Sequence, residues 1–294
     1  MDRTLLHRAI RFLGFLVVSA GAHLAHVEAQ AHTSTLRDAE PLPNGAALRI
    51  ASGGHATSIA DLYWLKLVQY VGTPGEESRG WPHLEPLADL VVTVDPLFGY
   101  AYEASGVVLS SVGRYEASNA ILERGMEHVP GRWQLPFFAG FNHWSALGDL
   151  DRGAALVLRA SRIPGSPRYL PDLASRLFSS AGTIEEGIAA LDATVASTSD
   201  PELRKEFLRR RDQLEMERAL RLLEAAIADH RAREGAPPAS LADLADPEAR
   251  RIARSPLSEN IDFEPSTGSV SSPLLPRRLM VYRPPAVPEA LAAP

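Results

Sequence analysis

The stretch YAYEASGVVLSSVGRYEASNAILERGMEHVP, residues 100–130, decides the fold. It reads as two short helices joined at Gly113 and closed by Pro130. Tyr102 fills a large aromatic slot on the first helix and Gly106 a small one, while Leu122 and Gly125 fall where the second helix packs on its neighbours. Paired helices approach closely only where one carries a small side chain, with bulky residues a turn away filling the remaining space.

Outward from this stretch the plan recurs. WQLPFFAGFNHWSALGDLDRGAALVLRASRIP, residues 133–164, places Gly140 in the small slot, Gly148 at the turn, Ala155 and Ala160 on the second helix, and Pro164 at the end. One extra residue precedes Gly148. YLPDLASRLFSSAGTIEEGIAALDATVAS, residues 169–197, carries Ser175, Gly182, Ile184 and Leu191 and leads to Asp200-Pro201. The turn glycines are 35 and 34 residues apart, and Pro96, Pro130 and Pro164 are 34 and 34 apart. A looser unit lies upstream, with an apolar helix over 56–71 capped by Gly72, a long loop at 73–80, and a second helix stopped by Pro96.

A period near 34 with a small residue at the turn and a closing proline resembles the tetratricopeptide (TPR) repeat. The resemblance covers residues 56–199 and implies an all-α, helix–turn–helix solenoid. The chain departs from the repeat pattern where the alanine after the turn is displaced to Ala117 in one unit and replaced by Gly187 in another. LPNGAALRIASGGHATSIADLYWLK at 42–66 and LPFFAGFNHWSALGD at 135–149 further resemble bacterial envelope TPR proteins without an assigned activity. The alternative is a non-repeating helical bundle.

Residues 1–31 read as an export signal or membrane anchor. Arg3, Arg8 and Arg11 precede an uncharged apolar run at 12–22, and Ala29-Gln30-Ala31 fits a small-x-small cleavage site. The run is short for a span needing about 20 residues, and an amphipathic buried helix is the third reading. Both main readings imply a periplasmic, cell-envelope location, with membrane contact through the N-terminus. Residues 32–55 read as an extended tether, within which Gly53-Gly54-His55 is a turn capping the next helix.

Residues 200–272 read as a long helix and a small α+β module. Asp200 caps a helix with Pro201 at its first position, and Gly235 ends it. Ser240 caps a short helix, and IDFEPSTGSV at 261–270 alternates as a hairpin with Thr267-Gly268 at its turn. A long helix, a PP-x-SL-x-DL segment and a terminal hairpin resemble the globular half of type II secretion pseudopilins, although the prepilin cleavage motif is absent. Residues 273–294 read as a proline-rich, extended tail.

Composition narrows the chemistry. A hydrophobic fraction of 45% supports a packed core, and a net charge of −6 gives no concentrated basic face for nucleic acid. Basic residues at 204–211 alternate with Glu202, Glu206, Asp212, Glu215 and Glu217, a pattern read as a solvated helix laced with i,i+4 pairs. The absence of cysteine excludes disulfides, thiolate zinc sites and a lipid-attached cysteine. The nine histidines show no metal-ligand spacing, and no cofactor motif, phosphate loop or GxSxG elbow is present. His143 reads as a structural, hydrogen-bonded histidine. Asp149 and Asp151 look like the turn and cap of a second repeat helix.

In TPR repeats the first helix of each pair faces the concave surface. The resemblance therefore implies an inward strip of Tyr100, Glu103 and Val107, then Gln134, Phe137, Phe141 and Trp144, then Tyr169, Asp172 and Arg176. Aromatics on such a face anchor peptide partners. The alternative is that Phe137, Phe141 and Trp144 are core, packing repeat on repeat. A basic clamp for a C-terminal carboxylate is missing, since Arg176 is its one candidate. The expected function is a non-catalytic, exported scaffold for an envelope or membrane protein partner in secretion or pilus assembly. The alternative is a stable accessory subunit of a larger membrane protein complex, touching its partners through the convex face and tail.

Overall fold

A computed structural model of the chain describes residues 41–281. The expected signal or anchor at 1–31, the first nine residues of the expected tether and the end of the tail lie outside them. The described residues are mostly helical, with one two-stranded antiparallel sheet near the C-terminus. They divide into two compact units, the first ending at Asp95 and the second starting at Pro96.

The first unit holds α1 (Gly45–Ala51), α2 (Ala56–Val71) and α3 (Leu84–Val94). The expected tether is wrong over its second half, because α1 is a helix packed on α3. Asn44 caps it by accepting a bond from the Ala47 amide at 2.9 Å. Gly45 lets it dock closely: a Cβ there would lie 2.9 Å from Thr93 Cγ2. Gly53 and Gly54, both at positive φ, then turn the chain into α2. The long loop after α2 folds over Tyr70, whose ring meets Trp81 and His83 edge-on at 5.8 Å and whose hydroxyl accepts a bond from the His83 amide.

The second unit contains three helical hairpins: α4 (Gly99–Ser111) with α5 (Tyr115–His128), α6 (Gln134–Ser145) with α7 (Leu150–Ser161), and α8 (Leu170–Ala181) with α9 (Ile184–Ser197). Gly113, Gly148 and Gly182 occupy their turns with φ of 79°, 72° and 87°, a region open to glycine and strained for other residues. In the first and third hairpins the residue after the glycine donates its amide five residues back, Arg114 to Leu109 and Thr183 to Phe178. The extra residue in the second moves this closure to a bond from Asp149 to His143.

Small residues of each second helix sit under bulky ones of the first. A Cβ on Gly125 would lie 2.8 Å from the Tyr102 ring, one on Gly153 would lie 2.9 Å from Trp144 Cβ, and one on Gly187 would lie 2.8 Å from Phe178. Gly106 faces Leu122 in the same way. In the middle hairpin the contact residue is therefore Gly153; Ala155, expected there from spacing, is exposed.

The long helix α10 (Pro201–Glu234) is capped by Asp200, which accepts from the Glu202 and Leu203 amides, and ends at left-handed Gly235. It packs on both α8 and α9, as α6 packs on both α4 and α5. After it come a short 3-10 turn at Leu241–Asp243 closed by a Ser240–Asp243 capping box, then α11 (Pro247–Ala253), and then the hairpin of β1 (Asp262–Glu264) and β2 (Ser269–Ser271) in the register Phe263 opposite Val270. Val270 and Phe263 join the core, which runs from Ala154 on α7 through α8, α9 and α10 to Leu279. Residues 273–281, the described part of the expected proline-rich tail, are packed on the body, since Leu275 and Leu279 are buried.

A candidate partner-binding face

The implied strip separates into three groups. On α4, Tyr100 is 54% exposed, while Glu103 is half-buried and accepts a bond from Arg132, which precedes α6, at 2.5 Å. A Cβ on Gly99 would lie 2.5 Å from Arg132 Cδ, so glycine at the start of α4 makes room for this guanidinium.

On α6 the rings form a continuous cluster. Trp133 meets Phe137 at 5.9 Å, Phe137 meets Trp144 at 6.4 Å, and Trp144 meets Phe141 at 5.0 Å, all edge-on. Such edge-to-face pairing suits the aromatic quadrupole. Phe137 and Trp144 are half-buried against the core, and the backbone of Trp144 lies on Gly153. The core alternative therefore describes these two, whereas Phe141 is 42% exposed. Gln134 is half-buried at the start of α6.

On α8, Tyr169 is 54% exposed. Asp172 accepts a bond from Arg176 one turn on and a second from Arg210 of α10. Arg210 also donates to Glu206 at 2.7 Å and to Gln213 at 2.9 Å. These charges are mutually compensated, so this end of the strip carries little net field. A cleft of about 640 Å³ opens beside it, walled by the loop at 161–168 and by the start of α10, including Leu203 and Arg209.

Two polar systems go beyond the sequence reading, which picks out His143 of the first as a hydrogen-bonded structural residue. Behind the strip, buried Asn142 donates to Ser118 Oγ and Asn119 Oδ1, each at 2.9 Å, and accepts from Ser110 at 2.6 Å. Ser118 donates in turn to the Gly106 carbonyl. His143 Nε2 lies 3.3 Å from the Asn119 amide nitrogen, and its Nδ1 lies 3.4 Å from Asp149 Oδ2. Burial, aided by Arg152 and opposed by Asp149 and Glu123, holds His143 below its ordinary pKa. Through Asn119 the ring links the second hairpin to the first.

The second system is Glu217, in the middle of α10. The mixed-charge reading made it solvated, yet it is 1% exposed. Leu214 and Leu220 stand three residues to either side, which puts it on the buried stripe of the helix. Arg278 donates to both its oxygens, at 2.9 and 3.0 Å, and Arg221 donates at 2.8 Å. Burial alone would raise its pKa, but the two guanidiniums outweigh that and hold it below the usual carboxylate range. The flanking leucines were the available signal.

Among the described residues no group of His, Cys, Asp or Glu is placed to hold a metal ion, and no helix is long and apolar enough to cross a membrane. No protein-family model, curated protein or solved structure matches the chain.

Proposed function

We propose that this chain is an exported, non-catalytic TPR-like scaffold whose first helices, α4, α6 and α8, present a face to an extended or helical segment of another envelope protein, within a secretion or pilus-assembly system. One observation carries the reading. Tyr100, Val107, Phe141 and Tyr169 are large, exposed apolar side chains, and they fall on or at the first helices of three successive hairpins. Exposed aromatics in register supply large contact area at low entropic cost. The matching glycine turns, and the packing of α6 on both α4 and α5 and of α10 on both α8 and α9, support a solenoid arrangement of this unit.

The accessory-subunit reading has its own support. On α2 of the first unit, Leu62, Leu65 and Val68 are exposed along one side, with Leu62 at 62%. Exposed apolar residues at that spacing mark a second interaction surface, carried by the first unit.

The test is site-specific photo-crosslinking in cells from positions 100, 141 and 65, followed by affinity measurement with the purified partner. Crosslinks from 100 and 141, together with a loss of about tenfold or more for Phe141→Ala and none for Arg209→Ala, support the scaffold. Crosslinks from 65 alone, with Phe141→Ala binding normally, favour the accessory subunit.

A further inference from the structure

Leu279 to Val281, which belong to no helix or strand, are bonded to the C-terminal end of α8. Their backbone is held on alternate residues. The Leu279 amide donates to Glu217 Oε2 at 3.3 Å, its carbonyl accepts from Ser179 Oγ at 2.5 Å, and the Val281 amide donates to Ser180 Oγ at 2.8 Å. Arg221 fixes the receiving side by donating to the Ser179 carbonyl and hydroxyl at 2.9 and 2.7 Å. Main-chain bonds plus separate side-chain anchors are the means by which proteins hold extended peptides in general.

The anchors are few. Leu275 is 5% and Leu279 1% exposed, and Arg278 reaches Glu217 and Glu224. Beside them Leu274 is 47% and Met280 65% exposed, and the segment has no helix or strand of its own. A segment with two buried leucines, a half-buried Val281, one paired arginine and Pro276, Arg277 and Met280 in water has the makeup of a docked ligand more than of a core element.

Its place matters as much as its chemistry. Asp172, Arg176 and Ser179 follow one another at spacings of four and three, so they share one face of α8. That face is the third part of the partner-binding strip. The protein's own tail is therefore bonded to that face one turn beyond Arg176, where the strip ends.

We infer that the groove between α8 and α10, floored by Ser179, Ser180, Glu217 and Arg221, is a peptide-binding site occupied in cis by the chain's own residues 275–281. Its ligand in trans is an extended segment of a partner protein bearing the same chemistry: an arginine directly before a leucine, with a second leucine three residues before the arginine. The tail is then an internal competitor, and a partner segment binds when the tail leaves. This deepens the scaffold reading and rests on it for the source of the ligand, while the groove itself is tested without any partner.

The experiment uses the full chain and a fluorescein-labelled peptide of residues 272–281, SPLLPRRLMV, read by fluorescence anisotropy. A tethered tail competes at an effective concentration on the order of millimolar, so the wild-type chain binds this probe weakly. The variant R278A/L279S, which frees the tail, binds it at least about tenfold more tightly. Adding Glu217→Gln to that variant, or Arg278→Ala in the peptide, reverses the gain. Equal binding by wild type and variant, or no binding by a variant with an unchanged circular dichroism spectrum, overturns the proposal. Hydrogen exchange of the wild-type chain gives a second arm that needs no variant. The Leu279 and Val281 amides should exchange through a local opening, well before that of Leu177 in α8. Exchange of all three only through global unfolding would make the tail a fixed part of the core and end the proposal. Failure of the peptide assay with Phe141 still crosslinking to a partner removes the groove and leaves the scaffold reading standing; the reverse outcome removes the scaffold reading and leaves the groove.

Discussion

Gly140 on α6 and Gly153 on α7 face each other across the middle hairpin. A Cβ on Gly140 would lie 3.1 Å from the Gly153 carbonyl oxygen, and a Cβ on Gly153 would lie 3.2 Å from that of Gly140. Neither neighbour is a flexible side-chain end; both are backbone. Gly140→Leu should therefore destabilise the chain by about 1–3 kcal/mol through overpacking. Gly140→Ala should cost less, because alanine gains up to about 1 kcal/mol of helix propensity over glycine against a contact only slightly too short. Thermal or urea melts of the two variants read the difference. A Leu variant as stable as wild type would mean that the hairpin does not close as described.

Asn142 is fully committed behind the strip, with Ser110, Ser118 and Asn119 all bonded to it. Asn142→Leu keeps the branching of the side chain and removes a partner from buried Ser118 and Asn119 and from half-buried Ser110. The expected cost is about 2–4 kcal/mol, since each orphaned group forfeits part of its desolvation. Urea unfolding checks it. Asn142→Ala together with Ser110→Ala should recover part of the loss if the orphaned hydroxyl is its cause.

His143 gives the fold a pH dependence of defined sign. Burial lowers its pKa in the folded state below that of the unfolded chain, so the unfolded state binds the extra proton first. The contribution is fully present above the unfolded value of about 6.5 and is lost as pH falls from there toward the folded pKa. Melting temperature should drop between pH 7.5 and 5.5, and His143→Gln should flatten that slope. A slope unchanged in the variant would assign it to other groups.

What the sequence made legible was local. Gly113, Gly148 and Gly182 announce themselves because a left-handed turn accepts few other residues, and Asp200-Pro201 and Thr267-Gly268 do so through cap and turn chemistry. The helix at 45–51 was hidden by its surroundings: Pro41–Asn44 suggest an extended chain, and the helix is held by contacts with Leu90 and Thr93, which lie some forty residues later in the sequence. The tail was hidden in the same way. Pro273 and Pro276 are compatible with an unpacked chain, and it is Glu217 and Glu224, more than fifty residues upstream, that make Arg278 an anchor. Within the strip, residue type separated aromatic from charged positions, but the partners of Glu103 and Asp172, namely Arg132 and Arg210, come from other helices or loops and carry no local signature.

Trp144 and Phe141 are ring neighbours with different surroundings, and that difference divides stability from binding. Trp144 is half-buried, its Cβ would clash with any side chain at position 153, and it packs against the core shared by α7 and α8. Truncating it should cost about 2–4 kcal/mol as the cavity term adds to lost burial. Phe141 touches Trp144 edge-on and presents 42% of its surface to solvent. Phe141→Ala should cost at most about 1 kcal/mol, a part of the burial value of a full phenylalanine. If the strip binds a partner, Phe141→Ala should weaken binding while the melt hardly moves, and Trp144→Ala should lower the melt first and binding only through it. Near-ultraviolet circular dichroism of the two variants separates local loss of ring packing from unfolding. A Phe141→Ala protein as unstable as Trp144→Ala would return the whole aromatic cluster to the core and move the search for the partner to α2.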